Sequence, residues 1–194
     1  MTEKIRSFVA VDTSATVKGE LAQLLKNLKV ETEFPVKWVK PEQMHITLAF
    51  LGDVTPEFIG NAESALRQSI SDFPEFICRL AGLGVFPSMN RARVIWAGVG
   101  AGADRVTVLQ KRVVQALQQI GFVPEKRPFS PHLTLGRLRE PVNAQFISGK
   151  SFISSEWLVS EVIVYQSELR AAGPVYTPLI RLRLSVDDGF SGKE

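Results

Sequence analysis

The chain contains two histidines, and both stand in the same four-residue phrase: HITL at 45–48 and HLTL at 132–135. Nine threonines are spread over 194 residues, so a threonine two places after a given histidine is expected about 5% of the time; both phrases, with their apolar neighbours, fall to the order of one in ten thousand. In an extended strand, residues two apart share a face. His45 and Thr47 therefore project together while Ile46 and Leu48 anchor the opposite face, and His132 and Thr134 do the same over Leu133 and Leu135. Each phrase offers one imidazole and one hydroxyl on a stiff support. Histidine titrates near neutrality, so two facing imidazoles can serve as proton donor and proton acceptor in one reaction. Two threonine hydroxyls between them can hold the oxygens of a tetrahedral anion. This combination suits attack on a phosphodiester, with water arriving opposite the leaving oxygen; positioned acid–base groups contribute about 10² to 10⁴ each.

Composition narrows the alternatives. Two histidines without clustered carboxylates or cysteines make a thin ligand set that Asp12 and Asp53 would have to complete, so no metal and no cofactor are expected. Cys78 is the only cysteine; it lies in the alternating stretch EFICRL (75–80) and reads as an inert core thiol, with no disulfide possible. A net charge of +3 permits a polyanionic ligand, although no Lys/Arg run marks a long nucleic-acid track. The N-terminal apolar run is too short for a signal peptide and no stretch could span a bilayer. The expectation is a soluble, reduced, cytoplasmic protein with no membrane partner, working as a monomer.

The elements that must carry the two phrases follow from periodicity and caps. SFVAVD (7–12) reads as a buried strand, and Thr13 or Ser14 can cap a helix bearing Val17, Leu21, Leu24, Leu25 and Leu28. VKWVKPEQ (36–43) is a short extended piece broken by Pro41, and HITLAFLG (45–52) is a strand. Thr55–Pro56 opens a helix whose stripe is Phe58, Ile59, Ala62, Ala65, Leu66 and Ile70. Strands at about 75–86 and 94–100 follow, joined by the loop FPSMNRAR. A helix over about 103–120 carries Val106, Leu109, Val113, Leu117 and Ile120 and stops at Gly121. The strand 132–138, an indistinct segment at 140–150, and strands at about 156–168 and 175–185 complete the chain. Each half thus reads helix, histidine strand, connection, strand, strand. The chain is read as one domain, 1–186, made of two interleaved half-repeats, roughly 14–100 and 103–185. The tail DDGFSGKE (187–194) reads as loose. A pseudo-twofold axis relating the halves would face the two histidine–threonine pairs across a cleft.

Two His-x-Thr-apolar phrases some 80–90 residues apart, in a chain of this size, resemble those of the 2H phosphoesterases. Within that superfamily the sequence is similar to the bacterial and archaeal RNA 2′,3′-cyclic phosphodiesterases, historically called 2′–5′ RNA ligases. The likeness extends to RSFVAVD, FPSMNRARVIWAGV, RPFSPHLTLGR and VYQSEL…GPVYTPL. It implies a bilobal α+β fold with two antiparallel sheets lining a central cleft and helices packed outside. It also implies hydrolysis of RNA 2′,3′-cyclic phosphate ends to 2′-phosphate ends. In that scheme His45 protonates the leaving O3′, His132 activates water, and Thr47 and Thr134 hold the phosphate. Arg137, five residues after His132, takes the position of a phosphate-binding arginine.

Strand alternation does not deliver all of this. Arg137 is an odd number of residues from His132, so a regular strand aims it away from the cleft unless Gly136 allows a bulge or a strand end. Phe50 has the same offset from His45, which sets a base-stacking role against simple core packing. Arg91 and Arg93 are either solvated or in contact with RNA backbone, and Trp38 and Tyr165 read as packing residues able to border the cleft. Other functions use the same residues: joining 2′,3′-cyclic to 5′-hydroxyl ends, opening a small cyclic phosphate such as ADP-ribose 1″,2″-cyclic phosphate, or binding RNA ends without turnover.

Overall fold

Helices form where caps and apolar spacing agree. Ser14 accepts a hydrogen bond of 3.2 Å from the Val17 amide and opens α1 (Ala15–Glu31), which buries Val17, Leu21, Leu25 and Leu28. Thr55 accepts from the Phe58 amide at 3.2 Å ahead of α2 (Pro56–Ile70), with Pro56 in the first turn where its missing N–H leaves nothing unpaired. α3 (Ala103–Gln119) buries Val106, Leu109, Val113, Ala116 and Leu117, and the chain turns at Gly121. The structure is a computed structural model that describes residues 4–171 and 173–186; the tail at 187–194 lies outside them.

Among the described residues ten strands are interleaved with these helices: β1 (Ile5–Asp12), β2 (Val36–Trp38), β3 (His45–Val54), β4 (Phe76–Cys78), β5 (Leu80–Phe86), β6 (Ala92–Val99), β7 (His132–Val142), β8 (Trp157–Val159), β9 (Glu161–Arg170) and β10 (Gly173–Arg183). Eight form one antiparallel sheet in the order β10-β9-β1-β3-β7-β6-β5, with β2 also paired to β7. The sheet has two halves, and they meet at a single residue pair, Ile46 with Leu133. The two sheets expected from the sequence are therefore one sheet with a one-rung seam. The reason lies along β7: β2 pairs with it from Gly136 onward, and the Val39 amide takes the Leu135 carbonyl at 2.9 Å, which leaves β3 only the first rung.

Partners cross between the chain's halves. β5 and β6 extend the sheet from β7, whereas β9 and β10, from later in the sequence, extend it from β1. The runs 75–86 and 156–168 read as continuous strands, yet each is split. β4 and β8 leave the main sheet and pair with each other, Phe76 to Val159 and Cys78 to Trp157. Side-chain alternation continues through the split after Cys78, so apolar patterning carries no trace of the change of hydrogen-bonding partner.

One face of the sheet packs on the helices. Val9, Val11, Ile46, Leu48, Leu133 and Leu135 form a single core with Val17, Leu21, Leu66, Leu109 and their neighbours. The opposite face carries a second, smaller cluster of Phe8, Ala10, Ile163 and Tyr165, with Tyr176 against it. Cys78 is wholly buried in the main core, and burial pushes its thiol up to about 12, as befits an inert thiol. Among the described residues no helix is long and apolar enough to cross a membrane.

Candidate active site

Both repeated phrases begin a strand, and both present the same sequence of burial: half-buried His, buried apolar, half-buried Thr, two buried residues, an exposed residue, a buried Leu. Ile46 and Leu133, opposite one another at the seam, point into the core. His45, Thr47, His132 and Thr134 consequently share the other face, flanking the seam. The antiparallel direction of the strands puts His45 on the same side of that rung as Thr134, and Thr47 on the same side as His132.

Each imidazole is oriented by its own lead-in. His45 Nδ1 lies 2.8 Å from the Gln43 carbonyl oxygen and His132 Nδ1 lies 2.7 Å from that of Ser130. A carbonyl oxygen only accepts, so Nδ1 carries the hydrogen in both rings and Nε2 is the atom left to exchange a proton. Neither Nε2 has a protein hydrogen-bond partner among the described residues.

Matched β-bulges resolve the offset of Phe50 and Arg137. On β1–β3 the register passes from Ala10–Thr47 to Val9–Ala49, leaving Leu48 as an extra residue. On β6–β7 it passes from Trp96–Thr134 to Ile95–Gly136, leaving Leu135 extra. Each bulge shifts the alternation by one, so Phe50 and Arg137 arrive on the histidine face. Gly136 is needed here for space: a Cβ would stand 2.6 Å from Val36 Cγ1 and 3.0 Å from the Trp38 ring, which cross behind it. Arg137 lies opposite Lys37 of β2, two cations on one face, an arrangement that costs stability unless an anion sits between them. Phe50 is 54% exposed with its ring 6.3 Å from that of Phe8, so it is a cleft-wall residue and not core.

The surroundings of the two imidazoles differ. His45 stacks on Phe8 at 4.6 Å and 21° and meets the edge of Tyr176 at 5.3 Å and 80°. A hollow of about 340 Å³ opens beside it, lined by residues including Asp12, Gln43, Tyr165, Tyr176 and Arg181. His132 is met edge-on by Phe86 at 5.0 Å and 85°, with Trp96 at 6.3 Å. Burial lowers the pKa of both rings, and the carbonyl on Nδ1 opposes it in each case. Asp12 also favours the charged form of His45, while Lys18 disfavours it. The Arg137 cation acts against charge on both rings and favours ionisation of the Tyr176 phenol.

Of the remaining residues singled out in the sequence, Trp38 packs against the core and over Gly136. Tyr165 is buried 6.2 Å from the His45 ring, and its hydroxyl donates to Asp12 Oδ2 at 2.9 Å. Arg93 donates to the Arg139 carbonyl at 3.2 Å, and Arg91 is exposed in a short 3₁₀ turn at Met89–Arg91. Phe8, Phe86, Trp96 and Tyr176 were not marked by the sequence, because isolated aromatics in strand-like stretches look like any core residues. Only their alternation, placing Phe8 and Trp96 on the faces of their partner histidines, held a signal. Among the described residues no group of three or more His, Cys, Asp or Glu side chains is arranged to hold a metal.

Known proteins resemble this chain over nearly its whole length. The sequence matches the LigT-like phosphoesterase family over residues 11–96 and 98–176. It is 34% identical over 186 residues to an RNA 2′,3′-cyclic phosphodiesterase of Methanothermobacter thermautotrophicus, covering 93% of this chain and 100% of that one. To the protein of the same name from Aeropyrum pernix it is 36% identical over 171 residues, covering 85% and 95%. The fold superposes on a crystal structure of TT0787 from Thermus thermophilus with a TM-score of 0.82 at 26% identity, covering 94% and 100% of the two chains. It superposes on E. coli LigT complexed with 3′-AMP with a TM-score of 0.77 at 26% identity, covering 94% and 99%. By sequence and by fold, the chain belongs to the LigT-like phosphoesterases.

Proposed function

We propose that this protein hydrolyses RNA 2′,3′-cyclic phosphate ends to 2′-phosphate ends by paired-histidine acid–base catalysis. The observation that carries the reading is the pair of imidazoles flanking one shared rung, each with Nδ1 tied to a carbonyl and Nε2 left without a protein partner among the described residues. His132 Nε2 takes a proton from water as the water oxygen bonds to phosphorus. The P–O3′ bond breaks on the opposite side, and His45 Nε2–H gives its proton to O3′. A 3′-hydroxyl and a 2′-phosphomonoester result, and proton exchange with solvent restores both rings. Thr47 and Thr134 donate to the non-bridging oxygens, and Arg137 offsets the charge gathering there. Phe50 offers a stacking surface for a base. Relatives named RNA 2′,3′-cyclic phosphodiesterase over nearly the full chain support the choice of substrate.

The matched bulges and the crossed strand partners also support one domain, 1–186, built from two interleaved half-repeats. The reading includes a cytoplasmic monomer, whose oligomeric state light scattering on the purified protein tests. For the activity, a short RNA ending in a 2′,3′-cyclic phosphate is incubated with protein in EDTA and the product end is mapped. Turnover to the 2′-phosphate is the expected result. A 3′-phosphate product would reverse the roles of the two oxygens, and turnover only with added metal would remove the two-histidine mechanism. Ligated product with added 5′-hydroxyl RNA would make joining, and not hydrolysis, the favoured reaction.

A further inference from the structure

The two imidazoles occupy equivalent places on equivalent strands, yet only one has a carboxylate across the ladder. Asp12 is the direct cross-strand partner of His45, so both side chains leave the same face with Cβ atoms about 4.5–5.5 Å apart. The partner of His132 at the matching place is Gly98. A Cβ there would stand 2.8 Å from the Ala81 carbonyl oxygen, so the fold admits no side chain at that position. Asp12 is held from several sides. The Tyr165 hydroxyl donates to Oδ2 at 2.9 Å, Lys18 Nζ lies 3.8 Å from the same oxygen, and the Trp157 indole N–H donates to the Asp12 backbone carbonyl at 3.0 Å. Burial and the neighbouring carboxylate both push the Tyr165 phenol upward, so it remains a donor to Asp12.

Building on the acid–base reading above, we propose that Asp12 is the positioning residue that makes His45, and not His132, the proton donor, because its carboxylate lies across the ladder from that ring alone. The charged and titratable groups around His45 come from every element packed on it: Asp12 from β1, Lys18 from α1, Arg137 from β7, Tyr165 from β9, Tyr176 and Arg181 from β10, and Glu42 from the turn at 41–43. Burial among aromatics is the largest influence and drives His45 toward its neutral form. The Gln43 carbonyl and Asp12 oppose it, whereas Lys18 and Arg137 reinforce it. A donor buried this deeply needs the carboxylate to keep its proton; an acceptor does not, and His132 has none.

With only two histidines, the ring signals of the free protein are resolved by NMR and each titration is followed separately. D12N is expected to move the His45 midpoint to lower pH and leave that of His132 in place. K18Q, at a partly buried position facing Asp12, is expected to move the His45 midpoint upward. On cyclic-phosphate RNA, D12N is expected to lower kcat/KM about tenfold, and D12E, which keeps the charge, to recover most of it. A merely structural Asp12 would lower thermal stability and leave both midpoints unmoved, or move both alike, and either result overturns the proposal. Should D12N not fold, D12S is titrated in its place, and a His45 midpoint left at its wild-type value overturns the proposal. The titrations need no substrate, so their failure is distinct from failure of the hydrolysis reading, which the wild-type RNA assay reports.

Discussion

The strands that carry His45 and His132 are copies in backbone and differ in what surrounds them. Both begin at the histidine, bulge at the fourth residue of the phrase and bring the sixth to the cleft. The first ring stacks on Phe8 and meets the edge of Tyr176, beside Asp12. The second meets Phe86 and Trp96, faces Gly98 across the ladder, and shares its strand with Arg137 where the first has Phe50. The backbone thus repeats the positioning of an imidazole and a hydroxyl, and the neighbours assign each copy a task. Symmetry supplies the pair, and on the proposed reading its local breaking supplies the direction of proton flow.

Removing either histidine should cost the most and also separate the tasks. H45A and H132A should each lose at least about 10² in kcat with the thermal midpoint little changed. A phosphodiester whose leaving group needs no proton should recover rate with H45A and not with H132A; recovery with both, or with neither, breaks the assignment. R137Q should lose on the order of 10² in kcat/KM and F50L less than tenfold, because the matched sixth positions bear a charge in one copy and a stacking face in the other. Equal losses in steady-state assays would mean that the copies bind alike. T47V and T134V should each cost about tenfold, as expected for one hydroxyl donating to a charged oxygen.

Smaller effects test the packing difference. Gly136 has Val36 and Trp38 crossing behind it, whereas the matching position of the first copy is already alanine, Ala49. G136A should destabilise by about 1–3 kcal/mol in urea unfolding, and a neutral outcome would mean that β2 shifts freely. Both imidazoles have lowered pKa values in the folded state, chiefly from burial. The unfolded chain therefore takes up protons first as pH falls below about 6.5, the ordinary histidine value. Stability is fully present above that value and is lost as pH drops through the folded midpoints. Thermal midpoints recorded from pH 7 to pH 5 should fall, and less so in H45F.

The histidine–threonine phrases, the caps at Ser14 and Thr55 and the helical stripes were legible in the sequence because each rests on local spacing. Arg137 and Phe50 were legible only as an inconsistency. A bulge has no side-chain signature of its own; Leu48 and Leu135 look like ordinary strand residues, and the double buried step after each threonine emerges only when a neighbouring strand is in place. The single-rung seam and the split after Cys78 were hidden for a related reason. Both are decisions about hydrogen-bonding partners, and apolar alternation records which face a residue takes without recording whom its backbone pairs with. Asp12 was visible merely as an acid at a strand end, since the meaning of its place depends on Gly98, far away in the chain.

The seam has a consequence for how the cleft is gauged. Ile46 and Leu133 are both fully buried, and among the described residues theirs is the one backbone-paired rung between the His45 half of the sheet and the His132 half. The spacing of the two imidazoles is therefore gauged from behind, by the bulk of two aliphatic side chains that face the core. Trimming or enlarging either one would reset the tolerance of the active site without altering any residue that faces it, so the hydrophobic interior acts as the calibration of the chemistry as well as its foundation.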